Sequence, residues 1–299
     1  MHLTRRGFSL VELLVALILL GIVSMAIYRV LVNNQRVYLA QTQRIDLQQN
    51  IRAAETILPA EFRELDASEG DIQAMNATAL TIRAMRWLGF VCDRPVLGAG
   101  LANLTMTIRG GAPGQPMFYG SRAPAVNKDS LLIYYDGNQA NPLDDWWSMA
   151  GLSGAVALNC TSGGTGLRLT MPSLALGTSP LGPNPNVAGA ITVGAPVRGF
   201  EVVTYQLYRP AGDTSWYLGF RPAGQSMQPL IGPLLSNGIT FSYFDSAGTA
   251  TNNPVLVSRI DVVVRARTAR AVRSGGSSPL RATVDSVNIS VALRNNRRW

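Results

Sequence analysis

Residues 8–28 read FSLVELLVALILLGIVSMAIY, a long apolar run that carries a single charge, at Glu12. As an α-helix, this run would extend about 30 Å, which is the thickness of the hydrocarbon core of a bilayer. Arg5 and Arg6 directly precede it, and basic residues beside a membrane span stay in the cytoplasm. We therefore expect a single-pass helix with a cytoplasmic N-terminus and with all later residues on the other side of the membrane.

Several processing outcomes compete for this segment. A secretory signal peptide has a basic start, an apolar stretch and a small-residue cleavage site, and Ser24-Met25-Ala26 offers such a site. A plain membrane anchor is the second alternative. Neither explains Glu12, because a carboxylate within a membrane helix costs about 2.5–3.5 kcal/mol on insertion scales and needs a partner.

The residues on both sides of Gly7 indicate a third outcome. Residues 6–12 read RGFSLVE, a motif that resembles the class III signal of type IV prepilins and of type II secretion pseudopilins. In that family a membrane-embedded peptidase cuts after the glycine, the new N-terminal amine is methylated, and the apolar segment is retained. The resemblance implies cleavage and N-methylation at Gly7 and Phe8, and subunit assembly through Glu12.

The resemblance also supplies a partner for Glu12. Cleavage would leave a positive amine on Phe8, and a buried carboxylate is tolerated when it meets an opposite charge. In the family that amine belongs to a neighbouring subunit, so Glu12 would select the register in which a subunit docks. The implied partners are other pilins or minor pilins, which bind through the N-terminal helix, together with prepilin peptidase and the inner membrane.

After residue 28 the sequence predicts a second half of the same helix. Apolar residues recur every three or four positions from Ile51 to Leu65, the period of a helix with one buried face. Pro59 is expected to kink this helix or to start its second piece. The predicted organisation is a prepilin leader (1–7), a transmembrane half-helix (8–28), an amphipathic half-helix (29–66) and a β-rich head domain (67–299).

The head is expected to be a mainly antiparallel β-sheet. Apolar and polar residues alternate with period two over 260–267 and 283–291, as they do in half-buried strands. Asn237-Gly238 and Ala247-Gly248 are typical of the turns that join such strands. The predicted fold class is therefore α+β, with the long helix packed on the sheet and with long loops.

Two stretches are expected to be loops, 136–154 and 172–199. The first holds Trp146 and Trp147, and its Asp and Asn residues offer oxygen ligands for calcium. Their spacing does not fit the EF-hand loop, so a solvated turn is the favoured interpretation. The second is rich in Gly and Pro, which favours an extended segment.

Cys92 and Cys160 are the only cysteines. Two lone cysteines in an exported chain usually pair, so we expect a disulfide between them. Two buried thiols are the alternative. Closing a loop of this length would stabilise the fold by about 4 kcal/mol in the chain-entropy model.

The sequence offers little for catalysis. His2 is the only histidine, and the expected cleavage removes it, which leaves no imidazole for a Ser-His-Asp, Cys-His or His-metal site. We therefore expect no enzyme activity, no cofactor and no metal site. The net charge of +8 comes from scattered arginines, so nucleic acid is an unfavoured partner that stays open.

The later segments favour a narrower resemblance. Residues 200–209, 228–231 and 238–245, and the end near 290–295, look similar in order to the PilW minor pilins, relatives of the J-type pseudopilins. This resemblance implies a minor pilin in the assembly or priming of a type IV pilus (a fimbrium), with a periplasmic head that later joins the filament. A J-type pseudopilin of type II secretion and a pilus-tip adhesin or DNA-capture subunit are the alternatives, and the position at the tip or in the shaft stays open.

Overall fold

A computed structural model describes residues 9–97, 104–110, 119–136, 140, 146–172, 174–175, 191–272 and 279–294. These residues form a long helix and a large antiparallel sheet. The elements are α1 (Leu10–Phe62), β1 (Ile72–Met75), β2 (Ala79–Leu97), β3 (Leu104–Arg109), β4 (Tyr119–Gly120), β5 (Ser130–Tyr135), β6 (Trp146–Gly151), β7 (Gly154–Asn159), β8 (Thr165–Met171), β9 (Leu174–Ala175), β10 (Pro196–Tyr208), β11 (Trp216–Pro222), β12 (Gln228–Phe244), a short 3-10 helix (Pro254–Leu256), β13 (Arg259–Arg267) and β14 (Val284–Ala292).

The helix α1 is one continuous element, so Pro59 does not start a second helical piece, which was one of its two predicted effects. Pro59 lies in the last turn, and the helix continues to Phe62, where the Arg63 N–H donates to the Pro59 carbonyl at 3.0 Å. A proline this close to the C-terminal end removes a single helical hydrogen bond. The helix ends at Phe62, short of the predicted residue 66.

The strands form one hydrogen-bonded sheet in which the predicted antiparallel pairing is confirmed. The run β10 to β14 is a meander of consecutive antiparallel neighbours. The long strand β2 pairs with β10 along most of its length and with β3 near its C-terminal end. The main strand order is β14-β13-β12-β11-β10-β2-β3-β8-β7.

The first core lies between α1 and this meander. Leu47, Ala54, Leu58 and Phe62 are buried, and their spacing confirms the predicted amphipathic half-helix. The Phe62 ring meets the Tyr205 ring edge-on, with centroids 5.5 Å apart. Each of the three larger side chains stabilises the fold by about 1.5–3 kcal/mol, and the small Ala54 lets the helix approach the sheet closely.

A second core within the described residues contains no residue of α1. It is built around Trp87 on β2, with Ile108, Leu131 and Leu169 from three other strands. Gly199 on β10 is required here, because a Cβ at this position would overlap the Trp87 indole. The chain thus has two neighbouring cores that share the strand β2.

The predicted loop around the two tryptophans is wrong in part. Residues 146–151 form β6, paired along its whole length with β5. The Trp147 ring meets the Tyr134 ring at 5.4 Å and lies under the Arg198 guanidinium, 5.6 Å from its carbon. Trp147 therefore packs within the head. Residues 137–139 and 141–145, which include most of the candidate calcium ligands, lie outside the described residues.

The turn predicted at Asn237-Gly238 is also wrong. Both residues lie inside β12, where the pairing with β13 shifts between Leu234 and Ile239. The extra residues on β12 interrupt the regular ladder, and glycine occurs at such irregularities as well as in turns. The turn at Ala247-Gly248 is confirmed, with Gly248 at a φ of 80°. Of the predicted loop 172–199, residues 196–199 belong to β10, and 173 and 176–190 lie outside the described residues.

Candidate functional site

The N-terminal end of α1 is closed by a reciprocal cap between Ser9 and Glu12. The Glu12 N–H donates to the Ser9 hydroxyl oxygen at 3.2 Å, and the Ser9 N–H donates to Glu12 Oε2 at 3.1 Å. This arrangement is a capping box, which satisfies two backbone donors that a helix start otherwise leaves open. Glu12 is therefore part of the helix start as well as a charge in an apolar segment.

The first half of α1 packs against no other described part of the chain. Its side chains from Leu10 to Leu31 are almost all exposed. An 18-residue window of the helix has a mean hydropathy of 2.8, long and apolar enough to cross a membrane, and none of that window is buried. A core helix of a soluble protein would be covered by its own fold, so this segment is suited to an apolar environment outside the chain.

Apolar exposure continues beyond that segment. Between the span and the first buried residue, Leu47, four apolar side chains expose about half of their surface or more: Val37, Tyr38, Leu39 and Ile45. Large exposed apolar surface on an ordered helix is typical of interaction sites. The helix therefore offers apolar surface both within the span and between the span and the head.

Where α1 ends, five charged residues from separate segments form a group that we call the junction network. They are linked by short contacts: Arg86 Nη1 to Glu61 Oε1 at 2.8 Å, Arg86 Nε to Glu201 Oε2 at 3.4 Å, Arg122 Nη2 to Glu201 Oε2 at 3.1 Å, and Arg122 Nη2 to Asp129 Oδ1 at 2.5 Å. The Trp87 indole N–H also donates to Asp129 Oδ2 at 2.9 Å. The network therefore connects the last turns of α1 to β2, β10 and the second core.

The neighbouring carboxylates stabilise the charged form of both arginines in the junction network. Burial opposes the charged form of Arg86, but the Glu61 carboxylate and further neighbours outweigh it and raise the pKa of Arg86. The hydrogen bond to Asp129 raises the pKa of Arg122. Burial, with the Glu61 carboxylate beside it, raises the pKa of the Tyr205 phenol. Since every buried charge has an opposite partner, the network is a structural joint.

The hairpin of β7 and β8 is fastened to β2 at its tip. Cys160 forms a disulfide with Cys92, as the sequence predicted. Next to it, the Thr161 hydroxyl and N–H both donate to Asp93 Oδ1, and the hydroxyl hydrogen bond lowers the pKa of Asp93. A covalent bond and a charged hydrogen bond thus hold the same turn.

Little in the described residues points to a ligand or a metal. A cleft of about 300 Å³ lies between α1 and the loop after β13, and most of its lining residues are polar. No group of three or more His, Cys, Asp or Glu residues in the described part of the chain is placed to hold a metal ion.

The site residues predicted from the sequence have three different outcomes in the structure. Gly7 and Phe8, the residues of the predicted processing site, lie outside the described residues. Glu12 is placed at the exposed helix start, and the two cysteines are brought together. Sequence reasoning missed the cap, although residues 9–12 read SLVE, the S-x-x-E signature of a capping box. It also missed the junction network, because most of its residues are far apart in sequence and no local pattern predicts their contact.

A comparison with known protein families supports the predicted prepilin-type signal at the N-terminus. Residues 3–28 match the family model described as the prokaryotic N-terminal methylation motif. No curated protein and no solved structure matches the chain. The chain thus carries the prepilin-type methylation signal of a pilin-like protein, on an apolar helix that is compatible with membrane anchoring.

Proposed function

We propose that this chain is a minor pilin of the PilW type, which acts in the assembly or priming of a type IV pilus. The observation that carries the proposal is the methylation motif at residues 3–28, placed on a helix whose exposed first half precedes a half packed on a β-sheet. A signal sequence that is removed would have no need to continue into the core of the mature protein. The same helix thus serves as membrane anchor and as spine of the head.

The proposed route begins in the inner membrane. Arg5 and Arg6 keep the N-terminus in the cytoplasm, and prepilin peptidase cuts between Gly7 and Phe8. The head then folds in the periplasm, an oxidising compartment in which the disulfide of Cys92 and Cys160 can form. The processed subunit finally leaves the membrane for the filament.

Assembly is proposed to use the span and its one charge. After cleavage, the Glu12 carboxylate pairs with the amine of Phe8 on a neighbouring subunit, which offsets the cost of burying both charges. The exposed apolar residues beyond the span, such as Tyr38 and Ile45, extend the contact with other pilins. The protein acts as a structural subunit rather than as an enzyme, and it requires no cofactor.

A J-type pseudopilin of a type II secretion system is the second candidate. The observation that favours it is the methylation motif itself, because the prepilins and the pseudopilins that the motif resembles share this signal. The two candidates use the same processing and the same helix, and they differ in the filament that the subunit enters.

The test is to follow an epitope-tagged full-length chain in its native host. Filaments sheared from the cell surface should contain the chain in amounts well below those of the major subunit, and its deletion should reduce piliation. A Gly7→Val variant is the matched control, since it should stay unprocessed in the membrane fraction. A deletion that abolishes secretion but leaves piliation intact would favour the pseudopilin, and a deletion that changes neither would refute both.

A further inference from the structure

The strands β14 and β7 are the two ends of the main strand order, and their surroundings differ. β14 packs against α1 and buries Ile289 and Val291 in the first core. β7 pairs with β8 alone, and no other described residue pairs with its outer side. The unpaired side of β7 is therefore the more open end of the described sheet.

The sequence of β7 lacks the features that usually protect an edge strand. Residues 154–159 read GAVALN, with no charge and no proline, and their pairing with β8 runs without a bulge. Val156 and Leu158 are 64% and 38% exposed. Natural sheets block such edges with lysine, proline, bulges or a covering element, because an open edge binds further strands. The edge of β7 is thus competent for pairing.

The hydrogen-bond register shows which backbone groups are available. The Cys160 N–H donates to the Gly164 carbonyl at 3.0 Å, and hydrogen-bonded pairs alternate along an antiparallel ladder. Val156 and Leu158 therefore bond to β8. Ala155, Ala157 and Asn159 direct their N–H and C=O groups away from the sheet, where an added strand would meet them.

Basic side chains lie next to this edge. Arg168 is directly opposite Val156, and Arg109 is opposite Gly166, which is itself opposite Leu158. Residues opposite each other share one face of the sheet, so both exposed arginines stand beside the exposed apolar side chains. Neither arginine forms a salt bridge within the described residues, and the acidic residue that Arg168 influences is Asp93, whose pKa is lowered by the Thr161 hydroxyl and, to a lesser extent, by the Arg168 charge.

We propose that β7 binds an extended, acidic segment of a partner protein as an additional strand of the sheet. The free N–H and C=O groups would provide the main-chain pairing, and side chains on alternate positions would provide specificity. Acidic residues on the outer face of the incoming strand would approach Arg168 and Arg109. The residues of the incoming strand that face the other way would be apolar and would extend the second core next to Ala155.

The charge of the chain argues for a different protein rather than for a second copy. Two copies, each with a net charge of +8, would repel each other as whole molecules. Two β7 strands paired with each other would also place the arginines beside an uncharged ladder, with no acidic group opposite them. An acidic partner strand removes both difficulties.

The edge is held ready for binding. The disulfide of Cys160 and the hydrogen bonds from Thr161 to Asp93 fasten the tip of the hairpin to β2. A binding strand that is already ordered loses little conformational freedom when its partner arrives. The inference concerns the head alone, so it does not rest on the proposed function in a pilus.

The test uses the full-length chain in detergent micelles with two short synthetic peptides, one of alternating Val and Glu and one of alternating Val and Lys. Binding is measured by fluorescence anisotropy, and the site is located by amide NMR. The Glu peptide should bind about tenfold or more tightly than the Lys peptide, and the amide signals of Ala155, Ala157 and Asn159 should shift.

Two variants make the test specific to the edge. Ala157→Pro removes an outward N–H and no bond to β8, so affinity for the Glu peptide should fall about tenfold, whereas Ala157→Val, the matched control, should bind as the parent does. Val156→Glu places a negative charge beside the arginines, and should reverse the preference toward the Lys peptide. Unchanged binding by both Ala157→Pro and Val156→Glu would overturn the proposal, as would equal binding of the two peptides or a dimer of the chain formed through β7.

Discussion

Glu12 has two physical functions, and a single substitution can remove both at once. Its side chain closes the first turn of α1 by accepting the Ser9 N–H, and its charge is proposed to meet the amine of Phe8 on a neighbouring subunit. The first function needs only an acceptor oxygen, whereas the second needs a negative charge. Glutamine keeps the acceptor and loses the charge, so it separates the two functions.

We predict that Glu12→Ala and Glu12→Gln are both cleaved and inserted in the membrane but both enter the filament poorly. Loss of one partner of a buried ion pair costs about 3–5 kcal/mol, while removal of a charge from the span makes insertion easier. Cell fractionation followed by immunoblotting of sheared filaments measures each step. Normal incorporation of the glutamine variant with failure of the alanine variant would assign the phenotype to the cap.

Arg86 links the junction network to α1, because it contacts Glu61 as well as Glu201, and it is the more buried of the two arginines. We predict that Arg86→Met lowers the free energy of unfolding by about 3–5 kcal/mol, since it leaves two carboxylates short of a partner. Denaturant unfolding of the full-length protein in detergent provides the measurement.

The matched control for that substitution is Arg94→Met, on the same strand β2. Arg94 is exposed, and replacing an exposed side chain usually changes stability by no more than about 0.5 kcal/mol. Equal effects of the two substitutions would show that the network contributes nothing beyond a surface charge.

At the scale of the element, the disulfide fixes the β7–β8 hairpin to β2 across 68 residues of sequence separation. We predict that replacing Cys92 and Cys160 together by serine lowers the free energy of unfolding by about 4 kcal/mol, because the unfolded chain loses its cross-link. Parent and variant are compared in denaturant without reductant. The parent with reductant should behave as the variant does, and identical stability of all three samples would contradict a structural role.

Periodicity predicted those elements whose burial follows a local pattern. The amphipathic half of α1 and the strands β13 and β14 alternate or repeat clearly, because each packs one face on a single core. The same reasoning misjudged Asn237-Gly238, since local residue preference does not distinguish a turn from a bulge within a strand. It also missed β6, because Trp147 is accommodated by Tyr134 of β5 and by Arg198, both of which are separated from it in sequence.

The candidate sites also differ in how far a local pattern predicts them. The processing motif lies within a few consecutive residues, so the sequence alone was enough to single out Gly7, Phe8 and Glu12. The junction network joins Glu61, Arg86 and Glu201 with a loop arginine and a loop aspartate. Such a set becomes visible only when the sheet and the helix have been placed together.

At the scale of the whole molecule, the chain separates an apolar segment from a folded head along one helix. The described span from Leu10 to Leu31 finds no cover in the chain, and burial begins at Leu47 and continues to the last turn. The junction network then links the last turns of α1 to the second core. The described sheet ends in β7, whose outer side pairs with no described residue. This arrangement is compatible with the proposed function, in which the chain is first held in a membrane and then enters a filament.

The most direct test of that view is the N-terminus of the protein purified from membranes, determined by mass spectrometry of the intact chain and its N-terminal peptide. We predict a chain that lacks the first seven residues of the sequence and begins with N-methylated Phe8. A chain that begins at Ile27, after cleavage at Ser24-Met25-Ala26, or a chain that keeps Arg5 and Arg6, would contradict prepilin processing and with it the proposed entry into a filament.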